Sequence, residues 1–418
     1  MGRPASIKPL KYLLCLLWLM SGNRHSLAAT IHIYPGPGAI HNAIKKAKPG
    51  DTLLLNNGRY NENNIEVPLR ITIRGVGKPV VDAAGQYPGF IIRADSVVVE
   101  NIQVQHTGRS SIADIAAIRI VDAKNVTVSN NRIYESTYGV YLQNAHSCVV
   151  QGNLIHTAMK DEINGGNGIH AWKCSGLRIS RNNISGHRDG IYFEFVTDSN
   201  IDGNLSYDNQ RYGLHFMFSH RDSYTGNTFR QNGAGVAVMY SKNVTMYGNT
   251  FIQNWGDASY GLLLKEISDS RIEHNQFLKN TIGIYLESTT RVDVLRNLFQ
   301  DNGWALRVMA SSSGSRFDEN NFIGNSFDVA TNGTLVMNTF SHNYWDKYDG
   351  YDLNRDHIGD VPHYPVSVYA IVSEKIPPAM ILYHSLLTSV MDQVEKVMPS
   401  VIPDQLKDDY PMMKKLQL

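Results

Sequence analysis

The sequence predicts an all-β chain folded as a right-handed parallel β-helix with three strands per coil, and three observations predict it. A segment of about 22 residues recurs at least nine times between Asn125 and Phe340. Its most regular mark is an Asn followed two places on by an aromatic or aliphatic residue, at Asn131, Asn153, Asn227, Asn249, Asn275, Asn297, Asn320 and Asn338, with Asn183 displaced by one and Asn204 degenerate. A second mark keeps step, a Gly leading an alternating run, at Gly139, Gly168, Gly190, Gly213, Gly235, Gly261 and Gly283, spaced 29, 22, 23, 22, 26 and 22 residues apart.

A period this short, made of alternating runs, excludes a helical solenoid, which needs long stretches of 3.6-residue periodicity. Inward positions carry small and β-branched residues, and each coil stacks about 4.8 Å above the last. The repeat Asn residues are expected at corners, where Asn tolerates left-handed backbone and its amide can bond from coil to coil. At 418 residues the chain exceeds an ordinary single core, but a solenoid grows by addition.

The elements follow in order. Arg3, Lys8 and Lys11 precede the apolar run Tyr12 to Met20, and Ser26-Leu-Ala-Ala29 follows, the pattern of a secretory signal spanning residues 1–29. The run is too short for a membrane span. Cleavage removes four basic residues and no acid, taking the balance from 39 basic against 38 acidic residues to 35 against 38, which argues against nucleic acid as a partner. Cys15 leaves with the signal, so only Cys148 and Cys174 remain for pairing in an oxidising compartment. Their offsets from the repeat glycines differ, nine after Gly139 and six after Gly168, so they do not obviously stack.

Residues 30–369 form the β-helix domain. Ala39 to Ala47 has apolar residues three to four apart and ends at Pro49-Gly50, a short amphipathic helix placed to cap the open end of the solenoid. Strands begin at Thr52. Beyond the repeats, Asp352, Asn354, Asp356 and Asp360 place oxygen ligands at alternate positions, a calcium-loop pattern with His357 where an EF-hand has Gly and His363 where it has Glu; a hydrogen-bonded turn is the other reading. Residues 370–418 form a helical extension in which Met380, Leu387, Val390, Met391 and Val394 lie on an apolar stripe, packed on the last coil or offered to a partner.

Chemistry belongs on the outward positions. In each Gly-led strand the residue after Gly points in and the next points out. That predicts one outer column of Tyr141, His170, Tyr192, His215, Ala237, Leu263 and Tyr285, and a second of Gln143, Trp172, Glu194, Met217, Met239, Lys265 and Glu287. His170, His215, Met217 and Met239 then form a thioether and imidazole set suited to Cu(I). His220 and Met246, on neighbouring runs, are secondary candidates. Ordinary surface packing by Met and aromatics is the alternative. For catalysis, Arg188 and Asp189 near His187 offer a lyase-like acid and base cluster, but no carboxylate pair stands at hydrolase spacing, and Glu194 and Lys265 on the second column are three coils, about 14 Å, apart.

The run Arg211-Tyr-Gly-Leu-His-Phe-Met-Phe-Ser-His220, the segments Gly233 to Ser241, Tyr260 to Glu266, Asn302 to Ala305 and Phe327 to Gly333, and the Pro377-Pro-Ala-Met380 and Pro411-Met-Met413 tail resemble the NosD family of periplasmic accessory proteins for nitrous oxide reductase maturation. The resemblance runs over essentially the whole chain. It implies a non-enzymatic role beside an ABC-type ATPase and permease, supplying copper to the reductase, with contacts to a copper-chaperone lipoprotein and to apo nitrous oxide reductase. Under it the His/Met column becomes a transfer surface and the C-terminal helix a dock on the permease. A polysaccharide-binding or polysaccharide-lyase-like β-helix is the alternative.

Overall fold

The computed structural model describes residues 28–110, 113–158, 165–256, 259–333, 337–367 and 406–418, with a few single positions between 369 and 390. The signal segment and most of the Met380–Val394 stripe lie outside the described residues; of the stripe only Val390, which is exposed, falls within them.

Alternating inward and outward residues give short strands, and the strands stack with like upon like into a parallel β-helix. Three parallel sheets of 14, 13 and 12 strands run along the axis, one strand from each per full coil. We call them the first sheet (starting at Thr30–Ile33), the second (starting at Arg59–Asn61) and the third (starting at Ile65–Val67). The third holds every Gly-led strand from Tyr138–Gln143 to Ile282–Glu287.

The core is a set of one-dimensional stacks. In the second sheet Phe251, Phe277, Phe299, Phe322 and Trp345 lie ring on ring at 4.1 to 4.9 Å, within 7° of parallel. Offset-stacked pairs of this kind add about 0.5–1.5 kcal/mol each beyond area burial. In the third sheet the residues after Gly, from Val140 to Ile284, have no exposure.

The repeat Asn residues form a buried amide ladder: Asn131, Asn153, Asn182, Asn204, Asn227, Asn249, Asn275, Asn297, Asn320 and Asn343. Asn131 Oδ1 accepts Ile102 N–H, and each later Oδ1 accepts the main-chain N–H and the Nδ2 of the Asn one coil earlier, for example Asn227 N and Nδ2 to Asn249 Oδ1 at 2.9 and 3.0 Å. Two expectations are corrected here. The rung in the third coil is Asn182 rather than Asn183, and Asn338 belongs to a different corner, where its Oδ1 accepts Ser315 N–H. Nor do the rungs take up left-handed backbone; the residue before each does, as Asn130, Arg181, His274 and Arg296 show. The rung must turn its amide inward, and the residue before it absorbs the bend.

The repeat glycines answer to close approach. A Cβ at Gly213 would lie 2.8 Å from Gly235 O and 2.8 Å from Asn232 Nδ2, and one at Gly261 2.8 Å from Gly283 O. The backbone of each coil therefore leaves no room for a side chain at this point.

Helix α1 (Ala39–Lys46) forms as its apolar spacing predicts and buries Ile40 and Ile44. Its N-terminus receives a carboxylate from another coil, with Glu62 accepting the N–H of Ile40 at 2.9 Å and of His41 at 3.1 Å. At the other end Leu406–Leu418 is not helical. It bridges the last coil through Asp408 beside Phe340 and Met412 beside Tyr344.

Cys148 and Cys174 are buried free thiols. His146 pairs with Ser175, which sets Cys174 beside Ala145 rather than beside Cys148, so the two sulfurs sit at different levels of the corner.

Candidate functional site

The third sheet lays out both predicted columns in register. Tyr141, His170, Tyr192, His215, Ala237, Leu263 and Tyr285 are successive partners, as are Gln143, Trp172, Glu194, Met217, Met239, Lys265 and Glu287. Met217 and Met239 are therefore about 4.8 Å apart at the backbone, and His215 stands about 6–7 Å along the strand from Met217. The second column is half-buried throughout.

The first column is less open than its outward direction suggests. His215 is only 6% exposed, whereas His170 is half-buried. Rings close over it: Tyr192 lies 5.1 Å from His215 on one side and Tyr212 4.8 Å on the other. Asp189 Oδ2 stands 3.7 Å from His215 Nδ1, and both His215 ring nitrogens lack a hydrogen-bond partner. The Tyr192 ring also separates the two imidazoles, at 4.8 Å from His170. The structure thus brings together His215, Met217 and Met239, and sets His170 apart.

Burial pushes the His170 imidazole down to about 3, with the Arg188 guanidinium acting in the same direction. Its Nδ1 meets Asn167 Nδ2 at 2.9 Å, so Nε2 carries the proton. Turning the amide over would let Asn167 Oδ1, buried and otherwise unpartnered, accept from Nδ1 and free Nε2 for a metal. Tyr192 is pushed up to about 12, chiefly by burial.

The remaining candidates fall elsewhere. Met246 is a correction: it is 1% exposed, on the inner row of the first sheet between Tyr224 and Ile272, because it occupies the middle, inward position of its three-residue strand. His220 lies at the corner beyond the third sheet, its Nδ1 accepting Lys242 N–H at 3.3 Å. The oxygens of the Asp352–Asp360 loop serve its own turn. Asp352 accepts the N–H of Asp356 and His357, Asp356 accepts that of Ile358, and Asp360 accepts that of Leu353. Among the described residues no three His, Cys, Asp or Glu side chains are grouped to hold a metal ion, a set that does not include thioethers.

Two features escaped the sequence reading. Asp189 reaches His215 from the neighbouring coil. Phe195, Phe218 and Tyr240, directly after the second column, stack at 5.3 and 4.9 Å; an aromatic in the same place of three successive repeats was the available signal.

Residues 156–350, which include His170, His215, Met217 and Met239, match the family model described as "Periplasmic copper-binding protein (NosD)". The chain carries a NosD domain. A protein of Stutzerimonas stutzeri named "Probable ABC transporter binding protein NosD" is 28% identical over 370 residues, 84% of each chain. Its namesake from Pseudomonas aeruginosa is 26% identical over 379 residues, 85% of this chain and 87% of that one. The A-module of mannuronan C-5 epimerase AlgE6 from Azotobacter vinelandii aligns with a TM-score of 0.53 at 14% identity, over 73% of this chain and 93% of that one, a likeness of fold alone. The NosD family is periplasmic by its description, and no helix among the described residues is long and apolar enough to cross a membrane.

Proposed function

We propose that the chain is a periplasmic, non-enzymatic accessory of nitrous oxide reductase maturation that passes Cu(I) to the apo-reductase, working with an ABC-type permease and its ATPase and receiving metal from a copper-chaperone lipoprotein. The observation that carries this reading is the coincidence of the NosD match with the site: residues 156–350 contain His215, Met217 and Met239, which the third sheet sets on adjacent positions. Copper is cargo here. Two thioethers and an imidazole form a donor set for the soft, monovalent ion, without the thiolate that would favour zinc. The unpartnered ring nitrogens of buried His215 fit a group awaiting a ligand. The relatives' name supports association with an ABC transporter.

The test is a Cu(I) titration of residues 30–418 against a chromophoric chelator, beside the triple variant His215→Ala, Met217→Ala, Met239→Ala. Binding that the triple change removes supports the reading; no binding by the unaltered protein counts against a site held by this chain alone. For the permease, the Leu406–Leu418 contacts with the last coil advise against truncating the tail. Charged substitutions at Met380, Leu387 and Met391 change none of the Leu406–Leu418 residues, and retained co-purification with the permease would remove the docking role.

A further inference from the structure

We propose that the ridge formed by Phe195, Phe218 and Tyr240 is the docking surface for the Cu(I)-carrying protein that exchanges metal with Met217 and Met239, an inference that rests on the copper reading above. From Asp122 to Ser288 the residue after the second outward column turns the corner of each coil with positive φ. Flanking coils place polar residues there: Asn144 (φ 48°), Lys173 (53°), Glu266 (51°) and Ser288 (54°). Three consecutive coils place aromatics there instead, Phe195 (55°), Phe218 (50°) and Tyr240 (54°). Bulky side chains in this region cost on the order of 1–2 kcal/mol each. Stacking at 13° and 11° between planes returns part of that, yet Phe195 and Phe218 stay 44% and 37% exposed. A polar residue turns the same corner with no exposed ring. A contiguous exposed apolar ridge is the mark of a surface kept for contact.

What the ridge adjoins decides its occupant. Met217 directly precedes Phe218, and Met239 directly precedes Tyr240, so the thioethers sit along its inner edge. Cu(I) passes between proteins by ligand substitution: a bond from the metal to a donor ligand breaks as a bond to a thioether sulfur forms, and no electron is transferred. That step needs direct contact from which water is excluded, which an apolar rim beside the sulfurs provides. The ring stacking disfavours a sugar, because it covers both faces of Phe218 and the inner faces of Phe195 and Tyr240, whereas sugar platforms need an open face.

The test uses the variant Phe195→Asn, Phe218→Asn, Tyr240→Asn. Asn occupies this corner at Asn144 and tolerates its backbone, so the β-helix should melt no lower than the unaltered protein. Should it fail to fold, Phe218→Lys alone, a residue this corner already carries at Lys173, takes its place. The probe is the purified soluble domain of the copper-chaperone lipoprotein, with and without Cu(I), in sedimentation velocity. We expect a complex with the unaltered protein, weakened about 100-fold or more in the variant, and equal Cu(I) uptake by both from a small chromophoric chelator. An unchanged complex in the variant, no complex with the unaltered protein, or ridge-dependent self-association overturns the dock. Loss of chelator-delivered Cu(I) in the variant overturns it too, by making the ridge part of the metal site. If the unaltered protein takes no Cu(I) from the chelator yet forms the ridge-dependent complex, the copper reading fails and the dock stands.

Discussion

Asp408 ends the asparagine ladder at Asn343: a single carboxylate oxygen, Oδ2, accepts the main-chain N–H and the side-chain Nδ2 of Asn343, both at 3.0 Å, from 65 residues along the chain. The same oxygen accepts Trp345 Nε1 at 3.0 Å, and Oδ1 accepts Tyr410 N–H at 3.0 Å. An open ladder leaves two buried donors at its last rung. A carboxylate suits the terminus better than another Asn, because it accepts on both oxygens and has no further donor to satisfy.

Asp408→Ala should therefore lower stability by roughly 3 kcal/mol or more, since it strands three buried donors at about 1–3 kcal/mol each. Asp408→Asn, which keeps one acceptor oxygen, should lose less. Denaturant unfolding of the two variants measures the difference, and an Asp408→Asn variant as stable as the unaltered protein would remove the special role of the carboxylate.

The β-helix should weaken in acid through its buried imidazoles. Burial holds His170 down at about 3 and His363 at about 4, against about 6.5 in the unfolded chain. Both are neutral in the fold at neutral pH, so their contribution is complete above about 6.5 and is lost as pH falls toward 4. At pH 5 each group accounts for a loss of about 2 kcal/mol. Denaturant midpoints between pH 7 and 4.5 should drop accordingly, with a shallower drop for His363→Gln.

The thiols should be silent in the native state. Burial pushes Cys174 up to about 12 and raises Cys148 as well, and both are enclosed. A thiol alkylating reagent should add nothing to the folded mature protein and two groups after denaturation without reductant, read by intact mass. Two labels lost until reductant is added would indicate a disulfide.

Asp189 should act on copper through His215. Its Oδ2 lies 3.7 Å from His215 Nδ1, beyond hydrogen-bond distance, so it acts on the imidazole through its charge. Asp189→Asn should weaken Cu(I) binding about tenfold without abolishing it, and should leave unchanged any affinity that persists in His215→Ala. A loss of the same size in the His215→Ala background would show that Asp189 acts elsewhere.

The fold was legible in the sequence because a β-helix repeats one local rule. Strand alternation of period two, a Gly where the coils approach, and an Asn per turn are properties of neighbours in the chain, and they place both outer columns in register without reference to anything distant. Met246 shows the edge of that reading: one position of slip in a three-residue strand exchanges surface for core. What only the tertiary structure decided lies between coils. Tyr192 and Asp189 enclose His215 from the adjoining turn of the chain, the ridge aromatics meet only after stacking, and Asp408 reaches Asn343 across 65 residues. Periodicity determines which way a side chain points, but whether it then meets water, a ring or a carboxylate depends on atoms from other coils.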